Sequence, residues 1–184
     1  MRVIGGSAKG TNLFSPTDSS TRPTTDRAKQ KLFDTINTVV FQPNLALDLF
    51  SGSGALGIEA LSRGISSVIF VENSIRAVKI LQKNLQKTHL SQRAQIFVED
   101  AFLYLDKKLD QIPDLIIADP PYNQGLTQKL LDLISTKELF AKDGLLVLED
   151  LSQTEFQIPA NFYLYKTKIS GYTSHYFFRY LNED

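Results

Sequence analysis

The sequence predicts an α/β fold whose sheet is mostly parallel and ends in an antiparallel hairpin. Between residues 45 and 149, short apolar runs alternate with helical segments, and the short connections between them are typical of parallel βαβ units. The last two apolar runs, 162–169 and 175–181, flank a turn at Gly171, as in a hairpin. Seven strands result, and 184 residues with 42% hydrophobic content suffice for one core.

The elements follow in chain order from the apolar periodicity. Residues 1–21 are rich in glycine, serine and threonine, and extended pieces at 2–4 and 11–14 predict an irregular hairpin. A helix is expected from Thr24 or Thr25, either of which can cap it, to Val39, before Pro43. This N-terminal extension covers residues 1–42, and the main domain covers residues 43–184. The elements expected next are strand 45–50, helix 55–63, strand 67–72, helix 74–88, strand 94–98, helix 101–108, strand 114–118, helix 124–135 and strand 145–149.

The composition excludes several classes of protein. No apolar run reaches the length of about 18 residues that a membrane span requires, and the N-terminus lacks the apolar region of a signal peptide. There is no cysteine for a disulfide or a thiolate metal site, and two histidines are too few for a zinc site. We therefore expect a cytoplasmic, monomeric enzyme without a metal.

A glycine-rich turn follows the first strand of the main domain. Asp48 lies inside that strand, and Gly52, Gly54 and Gly57 follow, where a backbone without Cβ atoms can turn sharply and approach a ligand. The spacing is the GxGxxG pattern of dinucleotide sites, with Glu72 about 20 residues further on. The charge of Asp48 is unfavourable beside a pyrophosphate but favourable beside S-adenosylmethionine, which carries an amino group and a sulfonium and no phosphate.

Acidic residues lie at the carboxyl ends of five predicted strands, where ligands bind in open parallel sheets. They are Asp48, Glu72, Asp100, Asp119 and the pair Glu149 and Asp150. Glu72 is placed to accept from both ribose hydroxyls, because an ionised carboxylate only accepts hydrogen bonds. Asp100 can accept from an adenine amino group or cap the following helix, and the two roles are compatible. The neighbouring Phe50, Asn73 and Ala101 complete the predicted cofactor site.

Asp119, Pro120, Pro121 and Tyr122 follow the fourth strand and form the most specific motif in the chain. The prolines stiffen the backbone and donate no hydrogen bonds, so their carbonyls point outward as acceptors. An exocyclic amine of a nucleobase attacks an electrophile poorly until acceptors hold its hydrogens, and Asp119 and the Pro120 carbonyl are the expected pair. Tyr122 is expected to stack on an unstacked base. The motif predicts methyl transfer to an amine by in-line displacement, through alignment and polarisation.

The net charge is zero, but the charges are unevenly distributed. Residues 1–31 carry a net charge of +4, whereas residues 32–159 carry −5. A basic arm on an acidic body is suited to contact a phosphate backbone beside the active site. The predicted RNA-contacting residues are Lys9, Arg22, Thr24, Arg27 and Lys29.

Four stretches together resemble the bacterial 16S ribosomal RNA guanine-N2 methyltransferase family, which modifies guanine 966. They are residues 2–6, 22–27, 48–64 and 119–122, and the similarity covers nearly the whole chain. The resemblance implies a Rossmann-like class I fold, S-adenosylmethionine as donor, and a guanine of 16S rRNA in the 30S subunit or a late assembly intermediate as acceptor. It also implies that residues 119–122 match the family's catalytic motif, that residues 48–57 and Glu72 match its cofactor motifs, and that residues 22–27 match its N-terminal signature. One departure is Gln30, since the family usually has glutamate after the basic residue at position 29.

Other acceptors and other activities are compatible with parts of this pattern. The same motif in the same fold also serves adenine-N6 or cytosine-N4 in DNA and the amide of a protein glutamine, although no separate domain for DNA recognition is evident. The GxGxxG pattern alone also fits a nicotinamide oxidoreductase. The basic arm alone fits a non-catalytic RNA-binding assembly factor.

Overall fold

The computed structural model describes residues 1–15, 26–40, 43–107 and 109–181, and it confirms the predicted α/β fold. The helices are α1 (Asp26–Val39), α2 (Ala55–Ser62), α3 (Ile75–Thr88), α4 (Ala101–Asp106) and α5 (Leu126–Lys137). The strands are β1 (Leu45–Leu49), β2 (Ser67–Glu72), β3 (Ala94–Val98), β4 (Leu115–Ala118), β5 (Leu145–Leu151), β6 (Phe162–Ser170) and β7 (Thr173–Tyr180). The expected N-terminal cap of α1 lies outside the described residues.

The described strands form one sheet in the order β3-β2-β1-β4-β5-β7-β6. The first five strands are parallel, and β7 is antiparallel to both β5 and β6. The strand β5 continues two residues beyond its predicted end, because its pairing with β7 extends to Leu151 opposite Thr173. The carboxyl ends of β1, β2, β4 and β5 and the turn between β6 and β7 therefore meet at one rim of the sheet.

Apolar side chains cover both faces of the sheet. Along β1, Ala46 contributes to the core beneath the N-terminal hairpin and helices α1, α2 and α3. Leu47 and Leu49 contribute to the core on the other face, with α4 and α5. All five residues of β1 are buried, as expected for a strand covered on both faces. No helix within the described ranges is long and apolar enough to cross a membrane.

The N-terminal residues form the predicted hairpin, which packs on the end of α2. An antiparallel bridge joins Arg2 to Asn12. The backbone at Gly6 has φ +73°, and a Cβ atom there would lie 1.7 Å from the Ser62 carbonyl oxygen. That carbonyl accepts from Ser7 N at 2.8 Å, and the Ser62 hydroxyl donates to Gly5 O at 2.6 Å. Only glycine fits at position 6, because the hairpin backbone lies directly on the helix.

A buried ionic network joins the hairpin to α1 and α2, and it corrects one prediction. The Lys29 side chain is fully buried, and its Nζ donates to Arg2 O and lies 3.5 Å from Glu59 Oε2. Glu59 also accepts from Ile4 N at 2.8 Å and from Arg63 Nε at 2.7 Å. Burial lowers the pKa of Lys29, although the charge of Glu59 opposes this. The prediction that Lys29 contacts RNA is wrong, since its charge is buried against Glu59.

Gln30, the position at which the sequence departs from the family it resembles, lies at the edge of this network. Its Oε1 accepts from Arg63 Nη2 at 3.1 Å, and its Nε2 donates to Asp34 at 2.5 Å. An amide can make both bonds because it has a donor and an acceptor. Arg63 therefore keeps its partners with glutamine at this position.

Candidate active site

The glycine-rich turn between β1 and α2 has backbone conformations that explain its sequence. Phe50, Gly52 and Gly54 have φ values of +55°, +53° and +79°. A positive φ is costly for phenylalanine, and such strain is concentrated at ligand-binding sites. A Cβ atom at Gly57 would lie 2.2 Å from the Phe70 ring, so this helix position packs directly against β2. The turn therefore lies close to the sheet. On its outer side, the glycines leave the backbone uncovered by side chains.

Asp48 is buried behind the turn. Its Oδ2 accepts from Gly57 N at 2.9 Å. Burial raises the pKa of Asp48 to about 7, the charge of Glu72 adds to this, and the Gly57 hydrogen bond opposes it. Asp48 thus supports the turn from below and places a carboxylate there that is costly to ionise without a nearby cation.

Glu72, at the end of β2, links the glycine-rich turn to the start of α3. Its Oε2 accepts from Gly52 N and its Oε1 accepts from Ser74 N, both at 2.8 Å. Each carboxylate oxygen has a second lone pair, so these bonds leave acceptor capacity for hydroxyl groups of a ligand. Glu72 therefore has two roles, as a clamp on the turn and as a candidate ligand contact.

A shallow cleft lies at this rim and brings together four of the nine predicted cofactor residues. Its lining consists of Phe50, Val71, Glu72, Asn73, Glu99 and Ala101. Asp100 caps α4 through Oδ1, which accepts from Phe102 N at 2.9 Å and Leu103 N at 3.1 Å. Val71 and Glu99 were not predicted to line the cleft, although each directly precedes a predicted acid.

The motif at residues 119–122 lies next to this cleft because β4 pairs with β1. In that pairing Ala118 is opposite Leu49, so Asp119 and Phe50 leave adjacent strands together. Pro120 is buried, Pro121 is exposed, and Asp119 and Tyr122 are partly exposed. The sheet therefore brings the predicted catalytic and cofactor segments to one place.

Glu149 holds the tyrosine of this motif and lies beside His175, and neither was among the predicted catalytic residues. The Tyr122 hydroxyl donates to Glu149 Oε1 at 2.9 Å and lies 3.4 Å from Asp119 Oδ1. His175 is opposite Glu149 in the β5–β7 pairing, and its Nε2 lies 3.0 Å from Glu149 Oε2 without an aligned N–H. The sequence marks Glu149 as an acid at the end of a predicted strand. His175 has no such signal, because it lies beside Glu149 only through the antiparallel pairing of β5 and β7.

The pKa values of the two carboxylates in this cluster are shifted in opposite directions. Burial, and then the charge of Glu149, raise the pKa of Asp119 well above its ordinary value. Burial opposes the ionisation of Glu149 too, but His175 and Tyr122 outweigh it, so the pKa of Glu149 is lowered. Burial and both carboxylates raise the pKa of Tyr122, which therefore remains a hydrogen-bond donor. The negative charge rests on Glu149, and Asp119 is the more basic group.

The predicted RNA-contacting residues are only partly described. Lys9 and Arg27 are exposed, as a phosphate contact requires, whereas Arg22 and Thr24 lie outside the described residues. The backbone that leads towards them is fixed to the site by Asn84, which is fully buried. The Asn84 side chain bonds both backbone groups of Phe14, at 2.7 and 3.0 Å, and donates to Ser53 O at 2.9 Å. Asn84 therefore holds Phe14 beside the glycine-rich turn. Within the described ranges, no group of three potential ligands for a metal ion occurs.

Comparisons with known proteins agree with this geometry. Residues 1–179 match the family model described as "Conserved hypothetical protein 95". The chain is 40% identical to "Putative rRNA methyltransferase YlbH" of Bacillus subtilis over 84% of its length and 85% of that protein. It is 32% identical to "Ribosomal RNA small subunit methyltransferase D" of Escherichia coli over 93% of its length and 85% of that protein. The solved structure of "Putative methyltransferase yhhF" from Escherichia coli superposes with a TM-score of 0.86 at 30% identity, covering 98% of this chain and 97% of that one. The chain therefore belongs to the ribosomal RNA small subunit methyltransferase D family, as its motifs predicted.

Proposed function

We propose that the protein transfers a methyl group from S-adenosylmethionine to the exocyclic N2 amine of a guanine in 16S rRNA, at the position that corresponds to guanine 966. The observation that carries this proposal is the placement of Asp119 and Tyr122 beside the glycine-rich turn at one rim of the sheet. The family relationship supports rRNA as the substrate. The catalytic motif supports an amine as the acceptor.

The residues of the cleft fit S-adenosylmethionine better than a dinucleotide. Asp48 is a buried carboxylate without a cation beside it among the described residues, and the ligand supplies an amino group and a sulfonium. Glu72 offers acceptors to the ribose hydroxyls, and Asp100 offers its Oδ2 to the adenine amine. A pyrophosphate in the same place would increase the negative charge around Asp48 and Glu72.

Asp119 and the Pro120 carbonyl are proposed to hold the guanine amine for attack. When bound, S-adenosylmethionine supplies an electrophilic methyl group, and the nitrogen–carbon bond forms as the carbon–sulfur bond breaks, with its electrons passing to sulfur. The amine loses one proton, and Asp119 is the acceptor because its pKa is raised. Tyr122, held by Glu149, presents its ring to the base.

Selectivity for a folded substrate follows from the small number of exposed cations. With Lys29 buried, Lys9, Arg22 and Arg27 remain of the predicted cations, and these three should contribute about −2 to −3 to the slope of log K against log salt. Naked RNA should therefore bind weakly. We propose that small-subunit particles or late assembly intermediates, which present one unstacked guanine, are methylated much faster than protein-free RNA.

Two measurements test this function. S-adenosylmethionine or its demethylated product should raise the melting temperature, whereas NAD should not. Labelled methyl groups should enter small-subunit particles from a strain that lacks the gene faster than they enter a short unstructured oligonucleotide. Tight binding of NAD without binding of S-adenosylmethionine would refute S-adenosylmethionine as the methyl donor. Equal methylation rates on the particles and on the oligonucleotide would refute the particle as the preferred substrate.

A further inference from the structure

The C-terminal hairpin presents lysine and tyrosine side chains close to the catalytic rim. Strands β6 and β7 contain no acidic residue between positions 162 and 180. On β6, Tyr165 and Lys166 are exposed and Lys168 is partly exposed. Neither lysine has an acidic partner in the described part of the chain. This surface is basic although the main domain has an acidic balance.

The strand pairing places these lysines relative to the active site. Lys168 is opposite His175 on β7, and His175 is opposite Glu149 on β5, so the three side chains form one cross-strand row on the same face. Two strand spacings separate Lys168 from Glu149, or about 10 Å between their backbones. Glu149 in turn holds Tyr122. Lys168 is therefore close enough to the proposed base-binding position to reach a neighbouring nucleotide.

The same face of the hairpin continues to α1. Lys166 is opposite Phe177, which lies in the core beneath α1. Helix α1 contacts β6, and its Arg27 and Lys31 are exposed. The two cations on α1 and the two on β6 thus lie on one side of the sheet.

An irregularity of β6 adds aromatic side chains to this surface. The pairing with β7 shifts between Leu164 and Lys166, which leaves Tyr165 as an extra residue without a partner on β7. Such bulges redirect a side chain. Tyr165 is 41% exposed, and its ring centroid lies 6.5 Å from that of Tyr163, edge to face. Aromatic rings between cations are suited to unstacked bases with flanking phosphates.

We propose that Tyr165, Lys166 and Lys168 form a second RNA-contacting surface, which binds the strand that flanks the target guanine. The proposal rests on the function proposed above, because the occupant is the RNA substrate. Because Lys29 is buried, the basic arm has one phosphate contact fewer than predicted, and the two lysines of β6 would add two contacts. The partner is RNA because its phosphates complement the lysines and its bases complement the tyrosines.

The test is a double charge reversal, Lys166→Glu with Lys168→Glu, matched with Lys79→Glu and Lys83→Glu on the exposed side of α3. Both pairs change the net charge equally, and α3 packs at the opposite edge of the sheet. The β6 variant should bind small-subunit RNA at least tenfold more weakly and lower the salt slope by about two. The α3 variant should do neither. Lys166→Gln with Lys168→Gln provides a milder change if the reversal lowers the melting temperature.

The charge reversal also distinguishes RNA contact from a purely structural role. Charged residues on an edge strand prevent pairing with other sheets, and glutamate serves that role as well as lysine does. Equal RNA affinity and slope in the β6 and α3 variants would therefore refute the surface. Tyr165→Ala should weaken RNA binding roughly tenfold while Tyr165→Phe should not, because only the former loses a stacking ring. If the unaltered protein methylates no small-subunit RNA, the proposed function itself fails, which is a different result.

Discussion

Replacing Asp48 by asparagine should stabilise the ligand-free protein and weaken its binding of S-adenosylmethionine. Burial, with a smaller contribution from Glu72, raises the pKa of Asp48 from 3.8 to about 7. A shift of roughly three units corresponds to about 4 kcal/mol in favour of the protonated form. The amide side chain introduced by Asp48→Asn is not charged and still accepts from Gly57 N, so the cost of a buried charge disappears.

The size of this stabilisation depends on pH. Between about pH 4 and 7 the folded protein binds more protons at Asp48 than the unfolded chain does, so the wild type loses stability as the pH rises through this window. Below about pH 4 the carboxyl group is protonated in both states, and the variant should equal the wild type. Above about pH 7 the variant should be more stable by about 2 to 4 kcal/mol, the lower value allowing for a buried amide.

Urea unfolding at about pH 4.5, 6 and 8 measures the effect directly, because these values span the window between the two pKa values. Asp143→Asn is the matched control, because Asp143 is exposed and the same charge is removed. Calorimetry above about pH 7 should show weaker binding of S-adenosylmethionine to Asp48→Asn, because the ligand loses a counter-charge. A stability difference that does not vary with pH, or unchanged affinity, would refute the assignment of Asp48 as a buried charge that favours a cationic ligand.

Three further predictions concern the catalytic motif and the buried network. Asp119→Ala should lower kcat by two orders of magnitude or more, comparable to losing about 3 kcal/mol of transition-state stabilisation, with little change in cofactor affinity; near-normal kcat would remove Asp119 from the mechanism. Tyr122→Phe should lower kcat about tenfold, because it loses the hydrogen bond to Glu149. Tyr122→Ala should in addition raise the KM for RNA, because it also loses the stacking ring. Equal effects of the two variants in steady-state kinetics would contradict the stacking role. Lys29→Met should lower the free energy of unfolding by about 2 to 4 kcal/mol, because Glu59 keeps Arg63 as a partner, and should leave the RNA salt slope unchanged. The exposed Arg27→Met should do the reverse, and a lower slope for Lys29→Met would restore Lys29 as an RNA contact.

Much of the fold was predictable because the apolar periodicity of each segment agrees with the place of that segment in the sheet. The alternation of buried strands and helices predicted β1 to β5, and single residues such as Gly171 marked the final turn. The glycine positions were predictable for the same reason, since the positive φ values at Gly52 and Gly54 and the close contact at Gly57 favour glycine over every other residue type.

The misses all depend on contacts between residues distant in the sequence. Lys29 occurs in a basic segment and looks exposed, but the rotation of α1 points it towards Glu59, which is 30 positions away. His175 has no sequence signal, because it reaches Glu149 only through the antiparallel pairing of β5 and β7. Asn84 is one polar residue in an amphipathic helix, and only the folded structure shows that its amide joins Phe14 to Ser53.

The most direct test of the central claim is the identity of the nucleoside that is methylated. Small-subunit particles from a strain without the gene should be incubated with the protein and labelled S-adenosylmethionine, digested to nucleosides and analysed by mass spectrometry. We predict that the label appears as N2-methylguanosine at one position of 16S rRNA, and that Asp119→Ala abolishes it. Label in adenosine, cytidine or a ribosomal protein, or no transfer by the unaltered enzyme, would contradict the account.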